Sequence, residues 1–174
     1  MSTLGIKENE MSKELKNVRI GFALVLLGLA FGVGLGITFG VNEEGFQAYI
    51  AKGIAAHPEI HDKASPDKIW RYVQRAHFHA TGIAAFSLGL ILLVMFSDLK
   101  AGFKTASSSL IGLSGFYPLS WFTIFLLAPS IGQDPAHRHF LTETFTYIGV
   151  GGLLLGTFFL VANIFFGYFR EDDA

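Results

Sequence analysis

Ala76-His77-Phe78-His79 and Ala136-His137-Arg138-His139 repeat one pattern, Ala-His-x-His, and each copy stands at the threshold of a long apolar run. Neutral imidazole is the commonest metal ligand and a usual axial ligand of haem iron, so four imidazoles at one depth can ring a metal or haem centre. Residues two apart on a helix lie about 200° apart, so the two histidines of one tetrad must serve different sites. His79 continues the face of Arg71 and Arg75, placing a guanidinium one turn above an imidazole; that pairing suits iron on the ring and a propionate on the arginine. His139 and Glu143 are four apart, a spacing that suits a hard or borderline metal, or a carboxylate that fixes an imidazole tautomer. His57 and His61 have the same spacing around Pro58, but in a loop, where solvated histidines are the simpler reading. Glu43 and Glu44 read as solvated, and Asn163, deep in an apolar run, as an interhelical hydrogen-bonding residue.

Uncharged stretches set the elements that must hold these groups. Residues 20–42, 80–97, 105–133 and 144–169 contain no Asp, Glu, Lys or Arg. About 20 residues of helix cross a hydrocarbon core of about 30 Å, and a bilayer leaves helices as the way to satisfy the backbone of such segments. The expected fold is therefore all-α: a single polytopic domain, residues 1–174, with four transmembrane helices near 20–42, 77–97, 105–130 and 140–169. The outer loop, 43–76, carries Phe46, Tyr49, Ile50, Gly53 and Ile54 at helical spacing, which predicts a short amphipathic helix in the interface that roofs the bundle. Ser65-Pro66 and Asp134-Pro135 read as the starts of the second and fourth helices. Gly28, Gly32, Gly36 and Gly40 recur every four residues down the first span, a row that lets another backbone approach, either within the chain or from another subunit or a second copy.

Four spans put both termini on one side. With the termini inside, seven cations lie there (Lys7, Lys13, Lys16, Arg19, Lys100, Lys104, Arg170) and six outside (Lys52, Lys63, Lys68, Arg71, Arg75, Arg138), so positive charge favours cytoplasmic termini by a small margin. All six histidines then fall on the opposite, periplasmic face of what reads as a bacterial inner membrane protein. A net charge of −1 without a basic run argues against nucleic acid, and the lack of cysteine excludes thiolate metal sites and covalently attached haem. No span interior carries an ionisable residue of the kind that couples transport, and no nucleophile elbow suggests a hydrolase.

Ala76-His77-Phe78-His79 resembles the helix of haem–copper oxidase catalytic subunits in which two haem ligands sit on opposite faces. The resemblance implies that His77 and His79 each bind a different centre; the chain shows no copper trio and too few spans for the whole subunit. In architecture it is also similar to small four-helix membrane cytochromes b, which implies bis-histidine haem b serving a quinone pool. The sequence thus points to an electron-transfer subunit with haem b between helices two and four. His79 and His139 are the favoured ligands, His77 and His137 the alternates, and Arg75 or Arg138 the propionate partners, with quinol docking under the interfacial helix. Copper or zinc held by His77 or His79, His137 or His139, and Glu143 is the second expectation. A structural subunit of a larger respiratory or photosynthetic complex is the third.

Overall fold

The computed structural model describes residues 3–170, with side chains from residue 11 onward; Lys7 lies outside the described side chains. Four of its helical segments are long and apolar enough to cross a bilayer: Met11–Ala56, Ser65–Phe96, Ala101–Ile131 and Phe140–Phe166. The chain is an all-α, four-span polytopic membrane protein.

Helix α1 (Thr3–Ala56) is one rod broken in direction at Asn42, whose backbone leaves the helical region at φ −151°, ψ 43°. There the Asn42 Oδ1 accepts the Gly45 N–H at 3.2 Å, so the residue caps the second half as it ends the first. That second half, 43–56, is the expected amphipathic helix. Its Phe46, Ile50 and Ile54 pack on Ile69, Val73, Ile124 and Phe125, roofing the bundle from the histidine face. Two close approaches fix it there. Tyr49 Oη donates to the Leu126 carbonyl at 2.6 Å, and a Cβ on Gly53 would meet Pro129 at 2.3 Å.

Helix α2 (Ser65–Phe96) is unbroken over about 48 Å at 1.5 Å per residue, so it extends beyond the hydrocarbon core as its length predicts. Ala64, not Ser65, holds the N-cap position and makes no side-chain cap, while Asp62 braces the turn that precedes the helix. Asp62 accepts from the Ser65 hydroxyl at 2.8 Å, the Ala64 N–H at 3.0 Å and Lys68 Nζ at 3.1 Å. The third span is two helices, α3 (Ala101–Gly112) and α4 (Tyr117–Ile131), joined by the 3₁₀ turn Leu113–Phe116. Pro118 explains the break: it has no N–H for the Ser114 carbonyl, which takes the Tyr117 N–H instead. The Ser114 hydroxyl pairs with that of Ser87, 3.0 Å away and buried.

The fourth span departs from its expected start. Asp134-Pro135 opens only a single-turn helix, α5 (Gln133–His137), and the long helix α6 (Phe140–Phe166) begins afresh beyond it. Arg138 and His139 lie between, the latter in extended backbone at φ −66°, ψ 139°. At the far end α6 stops at Phe166 rather than 169, because Gly167 turns left-handed (φ 69°) as its C-cap. The chain then folds back, with the Lys100 N–H donating to the Phe169 carbonyl at 2.9 Å.

Packing places the third span in the middle. α1 lies against α2 and α3, α4 lies against α2 and α6, and α2 and α6 scarcely touch. Three of the four glycines in the α1 row serve this packing inside the chain. A Cβ on Gly28 would meet Gly115 at 3.4 Å, on Gly32 Ala80 at 2.8 Å, and on Gly36 the His77 ring at 2.8 Å; Gly40 is open. At the termini face, buried Lys104 joins three helices, donating to Glu14 Oε2 at 2.6 Å and to the Met95 carbonyl at 3.0 Å.

Candidate functional site

On α2, Tyr72, Arg75 and His79 are spaced three and four apart and share one face, the face that meets α4. The residue they meet is Trp121. Tyr72 stacks near its ring at a centroid distance of 6.0 Å, His79 stacks at 5.9 Å, and the Arg75 guanidinium sits over it at 4.9 Å. Tyr117, one turn from Trp121 on α4, closes the far side with its ring 5.2 Å from His79. His137 enters from α5, edge-on to Tyr72 at 5.1 Å and to Trp121 at 6.0 Å. The result is a cage of four aromatic or cationic residues around one imidazole from each tetrad.

Tautomers separate the four tetrad histidines. His79 Nδ1 lies 2.8 Å from the Arg75 carbonyl and His137 Nδ1 lies 2.9 Å from the Gln133 carbonyl, four residues back in each case. A carbonyl only accepts, so each Nδ1 carries the proton and each Nε2 keeps its lone pair, the form in which histidine ligates metals. His77 does likewise, donating from Nδ1 to the Gly32 carbonyl at 2.8 Å, but in the notch between α1 and α2 beside Phe39. Its separation from His79 is the 200° divergence the sequence predicts. His139 is the reverse case: its Nδ1 accepts the Leu141 N–H at 3.3 Å as the N-cap of α6. When neutral, that ring carries its proton on Nε2.

His79 and His137 thus each contact Trp121, whereas His77 and His139 do not share that neighbour; among the described residues no histidine ring contacts another. The structure also corrects the placement between helices two and four: α4 lies between those helices, and Trp121 occupies the space next to both imidazoles. Arg75 is in the cage, whereas Arg138 is an exposed residue at the end of α5. Glu143 is exposed in the first turn of α6, where its N–H bonds the His139 carbonyl at 3.0 Å. Because His139 lies outside the helix, the two do not share a helix face as their spacing suggests. Among the described residues no three His, Asp or Glu side chains gather around a point that would hold a metal ion. His57 and His61 also diverge, the first toward Glu59 at 3.8 Å and the second to the Pro129 carbonyl at 3.0 Å. Asn163 bonds the Tyr168 carbonyl at 2.8 Å within its own turn rather than another helix.

Trp121, Tyr117 and Tyr72 are the residues that sequence reasoning missed. Their signal was present as spacing: an i, i+4 aromatic pair on the third span, and Tyr72 seven residues before His79. One further observation marks the cage. The Trp121 Nε1–H is buried without an acceptor, a state that costs about 1–3 kcal/mol and that a ligand oxygen would relieve. Fold and site together define a four-span membrane protein with a histidine–aromatic cage at the face opposite its termini. No protein-family model, curated protein or solved structure matches this chain.

Proposed function

We propose that this protein is a membrane-embedded electron-transfer subunit that binds haem b through the His79 and His137 imidazoles. One observation carries the reading: an imidazole from each tetrad reaches the same cage in the same tautomer, Nδ1–H fixed on a backbone carbonyl and Nε2 available. The rest of the donor set agrees in chemistry. Arg75 supplies positive charge for a propionate, and the Trp121 N–H supplies an uncommitted donor. When bound, haem would supply a one-electron couple, which imidazole nitrogens hold and tune.

The residues also set a condition on binding. Trp121 lies against both imidazoles, so a flat macrocycle enters between them only if the indole swings aside. Truncating it should therefore ease uptake. Quinol would reach the bound haem from the bilayer beneath the roof formed by 43–56, its protons leaving by the exposed Glu143 at the same face rather than by the ligating imidazoles. Expressed in the presence of haem, the purified protein should give a reduced-minus-oxidised spectrum of b type with stoichiometric iron. Protein without iron and without that spectrum would sink the proposal, and copper or zinc lost on His79→Ala would replace haem with a bare metal.

A further inference from the structure

A second face of α2 combines exposed cations with open glycines. Arg71, Arg75, Phe78, Gly82, Phe86, Gly89 and Leu93 follow at three- and four-residue steps and form one exposed stripe. Its two arginines lie one and two turns beyond Phe78 on the histidine side. Neither has a carboxylate partner among the described residues; the ion pairs there engage other cations, and Asp67, one turn further out, does not reach Arg71. Below them the stripe is notched. A Cβ on Gly82 or Gly89 would meet nothing within 4 Å, while Phe78, Phe86 and Leu93 stand exposed as ridges on either side. From Phe78 to Gly89 the helix rises about 16 Å, close to the roughly 15 Å of one leaflet's hydrocarbon.

We propose that this stripe seats an anionic phospholipid, its phosphate on Arg71, since Arg75 turns to the cage, and its acyl chains in the notches at Gly82 and Gly89. Charge decides the class of occupant. A zwitterionic lipid would bring its own cation to the unpaired Arg71 guanidinium, whereas a phosphodiester with a neutral headgroup balances that single charge. Guanidinium matches phosphate oxygens in a two-pronged geometry, so Arg71 recognises the headgroup as well as attracting it. The apolar ridges lengthen that contact along the chains, which free phosphate lacks.

Native mass spectrometry of the full chain in neutral detergent tests this with phosphatidylglycerol, phosphatidylcholine of the same chains, and glycerol phosphate as probes. Phosphatidylglycerol should be retained in preference to phosphatidylcholine, and glycerol phosphate at the same concentration should not displace it. Arg71→Gln should weaken phosphatidylglycerol binding about fivefold and reduce the preference. Gly82→Leu, which fills a notch without touching the fold, should weaken retention of both lipids. Neither variant should alter a haem spectrum, since neither residue lies in the cage. Equal retention of the two lipids, unchanged binding in both variants, or full displacement by glycerol phosphate would overturn the proposal. So would a lipid-independent dimer abolished by Gly82→Leu, which would assign the stripe to a second copy.

Discussion

The two Ala-His-x-His tetrads share their letters and differ in everything the backbone does with them. In both, the alanine is fully buried and the histidine after it donates from Nδ1 to a carbonyl. The first tetrad begins eleven residues into α2, which starts at Ser65, so helix geometry throws His77 and His79 to opposite sides. The second follows Gly132, at φ 86°, and Pro135 so closely that only one turn forms before the chain must reorient to enter α6. His139 is thereby turned from a helix-face residue into a cap. A short motif specifies donors; the distance to the nearest helix start specifies where they point.

Forcing the first tetrad apart from its neighbour should have the largest effect. Gly36→Leu drives side-chain atoms into the His77 ring and separates α1 from α2, with an expected loss of about 3 kcal/mol, readable as a lower unfolding midpoint in detergent. Unchanged stability would mean that His77 is not wedged as described. The second tetrad depends instead on Thr142, whose buried hydroxyl donates to the Ala136 carbonyl at 2.8 Å and ties α5 to α6. Thr142→Val should cost about 1–2 kcal/mol by leaving that carbonyl unpaired. It should also loosen His137 relative to Trp121, visible as a change in indole fluorescence.

His139 sharpens the comparison further. As a cap it should be replaceable: His139→Ala should lose about 1 kcal/mol and His139→Asp should recover it, which a ligand could not do. The smallest effect concerns the start of α2. Hydrogen bonds from Ser65 and then Lys68 hold the Asp62 carboxyl below the usual carboxylate range. Its contribution is therefore intact above about pH 4, the unfolded value, and is lost as pH falls through the lower native one. The stability gap between wild type and Asp62→Asn should close over that acidic range and stay constant above it.

Most of the fold was legible because a bilayer makes few demands and makes them loudly. Long uncharged stretches predicted all four spans, and the spacing of Phe46, Tyr49, Ile50 and Ile54 predicted the roof. The 3₁₀ turn at Leu113–Phe116 and the break at Arg138 were not read, since Pro118 and Pro135 mark possible interruptions without saying how far the helix yields. Candidate ligands were legible as residue types. Which of them share Trp121 as a neighbour was not, because that depends on α4 lying between α2 and α6 and on tautomers set by backbone carbonyls. Lys104 shows the same limit: its charge marks the edge of a span, but its burial against Glu14 and the end of α2 is a property of three helices together.

The haem content of four single variants, measured as Soret absorbance per protein with iron quantified on the same samples, tests the pairing of His79 with His137 most directly. His79→Ala and His137→Ala should lose haem, while His77→Ala and His139→Ala should keep it. Haem retained without His137, lost without His139, or absent from the wild-type protein would contradict the assignment.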